Sequence, residues 1–64
     1  MKYIRDRLNR ILGSTMDAGN KINIYNKNGT WIGWYSKDYD KTYYNGTLYG
    51  QGNQVSAVIQ ESNG

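Results

Sequence analysis

The 64-residue chain has no cysteine, histidine, proline or phenylalanine, and its charge is a modest +3. Without cysteine there can be no disulfide framework and no thiol nucleophile. Without histidine there is no imidazole base, and the usual zinc ligand sets cannot be assembled. Aliphatic residues are also scarce, since Leu, Ile and Val together supply 11 of the 64 positions. Small chains with a thin core rely on disulfides, a metal or self-association. The composition removes the first and leaves few ligands for the second, so it predicts a homo-oligomer, with a dimer the commonest form.

What the chain does have is seven Tyr, two Trp and eight Gly. The aromatics restore much of the apolar payload, and the charge is too low to indicate a disordered chain. There is no apolar run near 18 residues, and the start Met1-Lys2-Tyr3-Ile4-Arg5 is not followed by an apolar signal segment. These features predict one small cytoplasmic domain spanning residues 1–64, with no membrane partner.

An internal repeat carries most of the structural information. Asn28-Gly29-Thr30-Trp31-Ile32-Gly33 recurs as Asn45-Gly46-Thr47-Leu48-Tyr49-Gly50, and a degenerate copy stands upstream as Leu8-Asn9-Arg10-Ile11-Leu12-Gly13. Each copy reads as a β-hairpin. Asp6 and Asn26 suit the first position of a turn, where a short side chain bonds the backbone two residues on. Asn9, Gly29 and Gly46 fall where positive φ is needed. The closing Gly of each copy marks a bulge or a close backbone approach. The two Asn-Gly-Thr triplets also fit a glycosylation acceptor pattern, which without a secretory signal reduces to turn chemistry.

Two segments admit a second reading. Ile4, Leu8, Ile11 and Leu12 have helical spacing, but no capping residue precedes Ile4 and early arginines oppose the helix dipole. The repeat favours a hairpin there. In Gln54–Gln60, Val55, Val58 and Ile59 are spaced for a helix with Asn53 as N-cap, whereas Val55, Ala57 and Ile59 alternate as in a strand. The break at Gly50-Gln51-Gly52-Asn53 favours the helix. The expected fold is mainly β: an antiparallel meander of about three hairpin repeats (residues 3–14, 21–36 and 41–51) with a short C-terminal helix in 53–60, completed by homo-oligomerisation. An unbroken register would make the core from Ile4, Ile11, Ile22, Ile24, Ile32, Trp34 and Leu48, and would put Trp31 and Tyr35 together on the opposite face.

The stretches Ile4–Gly13, Tyr25–Gly33, Thr42–Gly50 and Gly50–Asn53 resemble a group of small bacterial and phage-borne proteins of unassigned function. Their repeats follow the pattern Y-D-x-x-G-R-apolar-apolar-G and end in G-x-G-(D/N). This chain departs from the pattern at Asn9, in place of the first Gly, and at Thr30 and Thr47, in place of Arg. The resemblance covers most of the chain and implies a small β protein from a phage or other mobile element. It transfers no catalytic residue.

Five carboxylates are present, Asp6, Asp17, Asp38, Asp40 and Glu61. Asp38-Tyr39-Asp40 lacks the Gly and terminal Glu of a calcium loop, and the serines have no base to activate them. No catalytic residue, metal site or cofactor is expected. Gly50, Gly52 and Asn53 form a candidate anion-binding turn ahead of the helix. Aromatic and basic residues interleave from Lys21 to Tyr49, and Lys27, Trp31, Tyr35, Lys37, Tyr43 and Tyr44 are the candidate binding residues. The expected function is that of a non-catalytic oligomeric interaction or sequestering module, a mobile-element accessory that binds a host protein or a small anionic ligand. The alternative is a small basic nucleic-acid-binding module using the same aromatic and lysine residues.

Overall fold

The computed structural model describes residues 1–63. Six strands follow one another: β1 (Lys2–Arg5), β2 (Ile11–Asp17), β3 (Lys21–Asn26), β4 (Trp31–Ser36), β5 (Lys41–Tyr44) and β6 (Thr47–Gln51). They form one antiparallel sheet in the order of the sequence, and a single helix, α1 (Val55–Asn63), packs against β2 and β3. This is the mainly β meander with a C-terminal helix that the repeat predicts, with hairpins β1–β2, β3–β4 and β5–β6.

The first two hairpin turns are copies of each other at the level of single hydrogen bonds. In the first, the Asp6 carboxylate accepts from the backbone N–H groups of Leu8 (2.9 Å) and Arg10 (3.0 Å), and Asn9 takes φ 63°. In the second, the Asn26 side chain accepts from Asn28 (2.9 Å) and Thr30 (3.0 Å), and Gly29 takes φ 85°. The third is tighter. Asn45 and Gly46 both have positive φ, 54° and 78°, as a two-residue hairpin turn matched to strand twist requires.

Each hairpin also carries a bulge at the same point of the repeat. Register slips between Ile4 and Arg5, between Ile24 and Tyr25, and between Thr42 and Tyr43. The residues left without a partner on the opposite strand are Leu12, Ile32 and Tyr49, each immediately before the closing glycine of its repeat. An extra residue reverses the inward–outward alternation beyond it. That reversal corrects the expected core. Ile4, Ile22, Ile24 and Ile32 do pack under the helix, but Ile11 and Leu48 are exposed and Trp34 stacks with Trp31 on the opposite face.

The core lies between the sheet and α1. Val55, Val58 and Ile59, at i, i+3 and i+4, are buried against Ile24, with Leu12, Tyr35 and Tyr44 packed around them. Asn53 caps the helix, its side-chain oxygen accepting from the Val55 N–H at 3.1 Å. Buried Thr42 pins the helix entry to β5, donating to the Gly52 carbonyl (2.7 Å) and accepting from the Gln54 N–H (3.0 Å). At the other end the Asn63 amide donates to the carbonyls of Leu12 (2.8 Å) and Ile59 (2.9 Å). The helix runs to residue 63, slightly beyond the expected stretch.

Two carboxylates outside the core tie loops together. The Arg10 N–H and guanidinium hold the Asp6 carboxyl below its ordinary value of 3.8. The Lys37 ammonium and the Gly19 N–H do the same for Asp17, 2.8 Å from Lys37 Nζ. A carboxylate with a depressed folded value stabilises fully above the ordinary value, and that contribution fades as pH falls through the folded one. Thermal melts followed by circular dichroism should therefore hold steady down to about pH 5 and drop below the ordinary carboxylate value. Asp6→Asn should shrink the acid drop while preserving the turn, because Asn26 makes the equivalent bonds in the second hairpin. An acid limb unchanged in Asp6→Asn would refute the assignment.

Candidate functional site

α1 covers one face of the sheet, and the register defines what stands on the other. One row crosses five strands as Met16, Asn23, Trp34, Tyr43 and Leu48. A second runs Tyr3, Ser14, Tyr25 and Trp31. A third, nearer the inter-hairpin loops, runs Lys21, Ser36, Lys41 and Gln51. The open face is thus aromatic and aliphatic at its centre, with cations along one side. Among the described residues, no Asp or Glu stands in these three rows.

The rings on this face are ordered against one another. Trp34 and Tyr43, directly opposite on β4 and β5, stack at 4.7 Å between centroids and 17° between planes. Trp31 stacks on Trp34 at 5.6 Å and 7°. Its indole N–H donates to the Asn23 side chain at 3.1 Å, which draws the ring over the short residue beside Trp34. The bulge at Ile32 makes this possible, because in an unbroken strand Trp31 and Trp34 would face opposite ways. Trp31 remains 51% exposed, and Tyr3, Leu48, Ile11 and Met16 are exposed around it.

Of the residues singled out from sequence, the structure brings some together and separates others. Trp31 and Tyr43 belong to the open face, and Lys27 stands in the turn that borders it. Tyr35 and Tyr44 lie on the other side, packed against the core, so the six do not form one surface. The Tyr35 hydroxyl donates to Asp40 at 2.6 Å, and the neighbouring carboxylate raises the phenol above its ordinary value of 10.0. Lys37 is paired with Asp17. At the turn of Gly50, Gly52 and Asn53, three backbone N–H groups are engaged within the chain. The Gly52 N–H donates to Asp40 O, that of Gln54 to Thr42, and that of Val55 to Asn53, so these donors serve the fold.

Trp34, expected in the core, stands on the open face, and so do Tyr3, Ser14 and Tyr25, which were not among the candidate binding residues. The signal that could have found them is the apolar-apolar-glycine triplet, read as a fixed bulge in every hairpin. Beside the aromatic stack, Tyr3, Ile11, Ser14, Tyr25, Asn26, Lys27 and Asn28 are among the residues lining a groove of about 350 Å³. No group of three or more metal-ligating side chains gathers among the described residues, and no helix among them is long and apolar enough to cross a membrane. No protein-family model, curated protein or solved structure matches the chain.

Proposed function

We propose that the chain is a non-catalytic interaction module that acts as an oligomer, docking the open face of its sheet against the same face of a second copy. The observation that carries this is the pair of apolar rows left uncovered across the sheet. Among the described residues, the fully buried aliphatic core holds only Ile24, Val58 and Ile59, while Tyr3, Ile11, Met16, Trp31 and Leu48 remain exposed. A monomer rarely leaves so much contiguous apolar surface to water. The two longer dimensions of the molecule, 33 and 23 Å, bound a face on the order of 750 Å², close to the ~800 Å² per partner of a standard interface. Two such sheets would pack about 10 Å apart with their strands nearly aligned. The assembled module would sequester its target, a host protein or a small anionic ligand, without transforming it.

Light scattering on the purified chain at about 10 µM should give twice the monomer mass, within the micromolar-to-picomolar range that interfaces of this size span. Trp34→Glu should dissociate it, because a carboxylate at the centre of the face would be buried without a cation. A monomer at hundreds of micromolar would overturn the reading. The second reading, a nucleic-acid-binding module, is favoured by the cation-only charge of the face. It gains if the chain is monomeric and an oligonucleotide quenches its tryptophans in a steeply salt-dependent way.

A further inference from the structure

The second open row, part of the face assigned above to self-association, also contains a slot between two tyrosines. Tyr3 on β1 and Tyr25 on β3 flank Ser14 on β2, so a small residue stands between two rings in one straight row. Alternate strands lie about 9.6 Å apart. Favourable ring pairs sit roughly 4.5–7 Å between centroids, so a guest ring between two hosts needs them about 9–14 Å apart. Strand spacing therefore sets the Tyr3 and Tyr25 positions apart by the width that one planar guest ring needs, and neither tyrosine belongs to a ring pair among the described residues. We infer that this slot binds a planar heteroaromatic ring carrying an anionic group, the chemistry of a nucleotide.

Three further observations define the occupant. Ser14 is 5% exposed and its hydroxyl makes no hydrogen bond among the described residues, yet it is not a sealed-off polar atom. It therefore offers a donor and an acceptor at the floor of the slot, suited to the edge of a heterocycle rather than to a hydrocarbon ring. Ile11 supplies an apolar wall. At the lip, the second hairpin turn presents Asn26, Lys27 and Asn28, and Lys27 forms no ion pair among the described residues. Its ammonium can meet an anionic substituent pointing out of the slot, on a face whose rows hold no carboxylate to repel one. The groove's volume of about 350 Å³ lies at the lower end of small-ligand sites, which run from about 300 to 1,000 Å³.

The inference shares the open face with the proposed function, and its test separates the two. The intact chain is titrated with adenosine monophosphate, adenosine and ribose 5-phosphate, with amide shifts of Ser14 and Lys27 followed by NMR and mass followed by light scattering. Adenosine monophosphate should saturate below about 1 mM and move both amides. Adenosine should bind the same place several-fold more weakly, and ribose 5-phosphate should not bind. Ser14→Phe should abolish binding by filling the slot. Tyr3→Ala, at an exposed position that does not threaten the fold, should weaken it by about five- to a hundredfold, the range for loss of one stacking partner. Lys27→Ala should reduce the monophosphate to the affinity of adenosine. Failure to saturate by 10 mM, shifts confined to other residues, or equal binding of ribose 5-phosphate would each overturn the slot. A dimer that ignores adenosine monophosphate removes the slot and leaves the proposed function standing. A monomer that binds it does the reverse.

Discussion

Gly33→Ala should be among the most damaging single substitutions in the chain, costing about 3 kcal/mol, the upper part of the range for forced overpacking. A Cβ at Gly33 would stand 2.2 Å from the Tyr43 carbonyl oxygen and 3.2 Å from the Tyr44 Cα. Both obstacles are backbone of the neighbouring strand, so no rotamer change relieves the clash. The sheet would have to part between β4 and β5, where the Trp34–Tyr43 stack and the Gly33–Tyr44 pairing lie. Urea unfolding followed by circular dichroism should show the midpoint collapsing, and a Gly33→Ala chain within 0.5 kcal/mol of wild type would refute the close approach. Gly46→Ala offers a contrast. Nothing lies within 4 Å of its Cβ, so its cost comes from a φ of 78° alone and should be about 1 kcal/mol.

Ile59→Ala should cost about 2–5 kcal/mol, as large-to-small changes at sealed core positions do. Ile59 is fully buried, and it is the side chain that a Cβ at Gly13 would meet, at 3.2 Å. The Gly13 strand thus lies directly beneath it, and neither the bulged β2 backbone nor the short helix has an obvious way to close the void. A domain of this size rarely has more than about 3–5 kcal/mol to lose, so the variant should be largely unfolded at 25 °C. Ile59→Val, which keeps most of the volume, should cost about 0.5–1.5 kcal/mol and remain folded. Equal losses for the two variants would mean that Ile59 is not in a packed site.

The hairpins were legible because turn chemistry is local. Asp6 and Asn26 announce the same turn, and the structure repeats it bond for bond. The helical spacing of Ile4, Leu8, Ile11 and Leu12 proves to be accidental. Leu8 sits in a turn at 67% exposure, Ile11 faces outward, and only Ile4 and Leu12 reach the core. The C-terminal helix was legible too, since its three apolar residues match the period of one helical face.

The faces of the sheet were harder to read, for a physical reason. The sequence hints at bulges through its glycines but does not state which neighbour loses its partner. A single unpaired residue exchanges inside for outside along the rest of a strand. That exchange set Trp34 beside Trp31, turned Leu48 and Ile11 outward, and left Tyr35 packed against the core. The turn ahead of the helix also has partners that local sequence does not reveal, since Thr42, far away in sequence, accepts from the Gln54 N–H.

The order of the elements has a consequence for how the chain is born. All strand pairings join neighbours in sequence, so each hairpin can close early and quickly. The helix follows the last strand, yet Val55, Val58 and Ile59 are three of the four buried hydrophobic residues among those described. On the ribosome, at ~5–20 residues per second, both faces of the nascent sheet stay bare until that segment has emerged. During that interval the closed turns hold the polypeptide in register, and other nascent copies have two surfaces to adhere to instead of one.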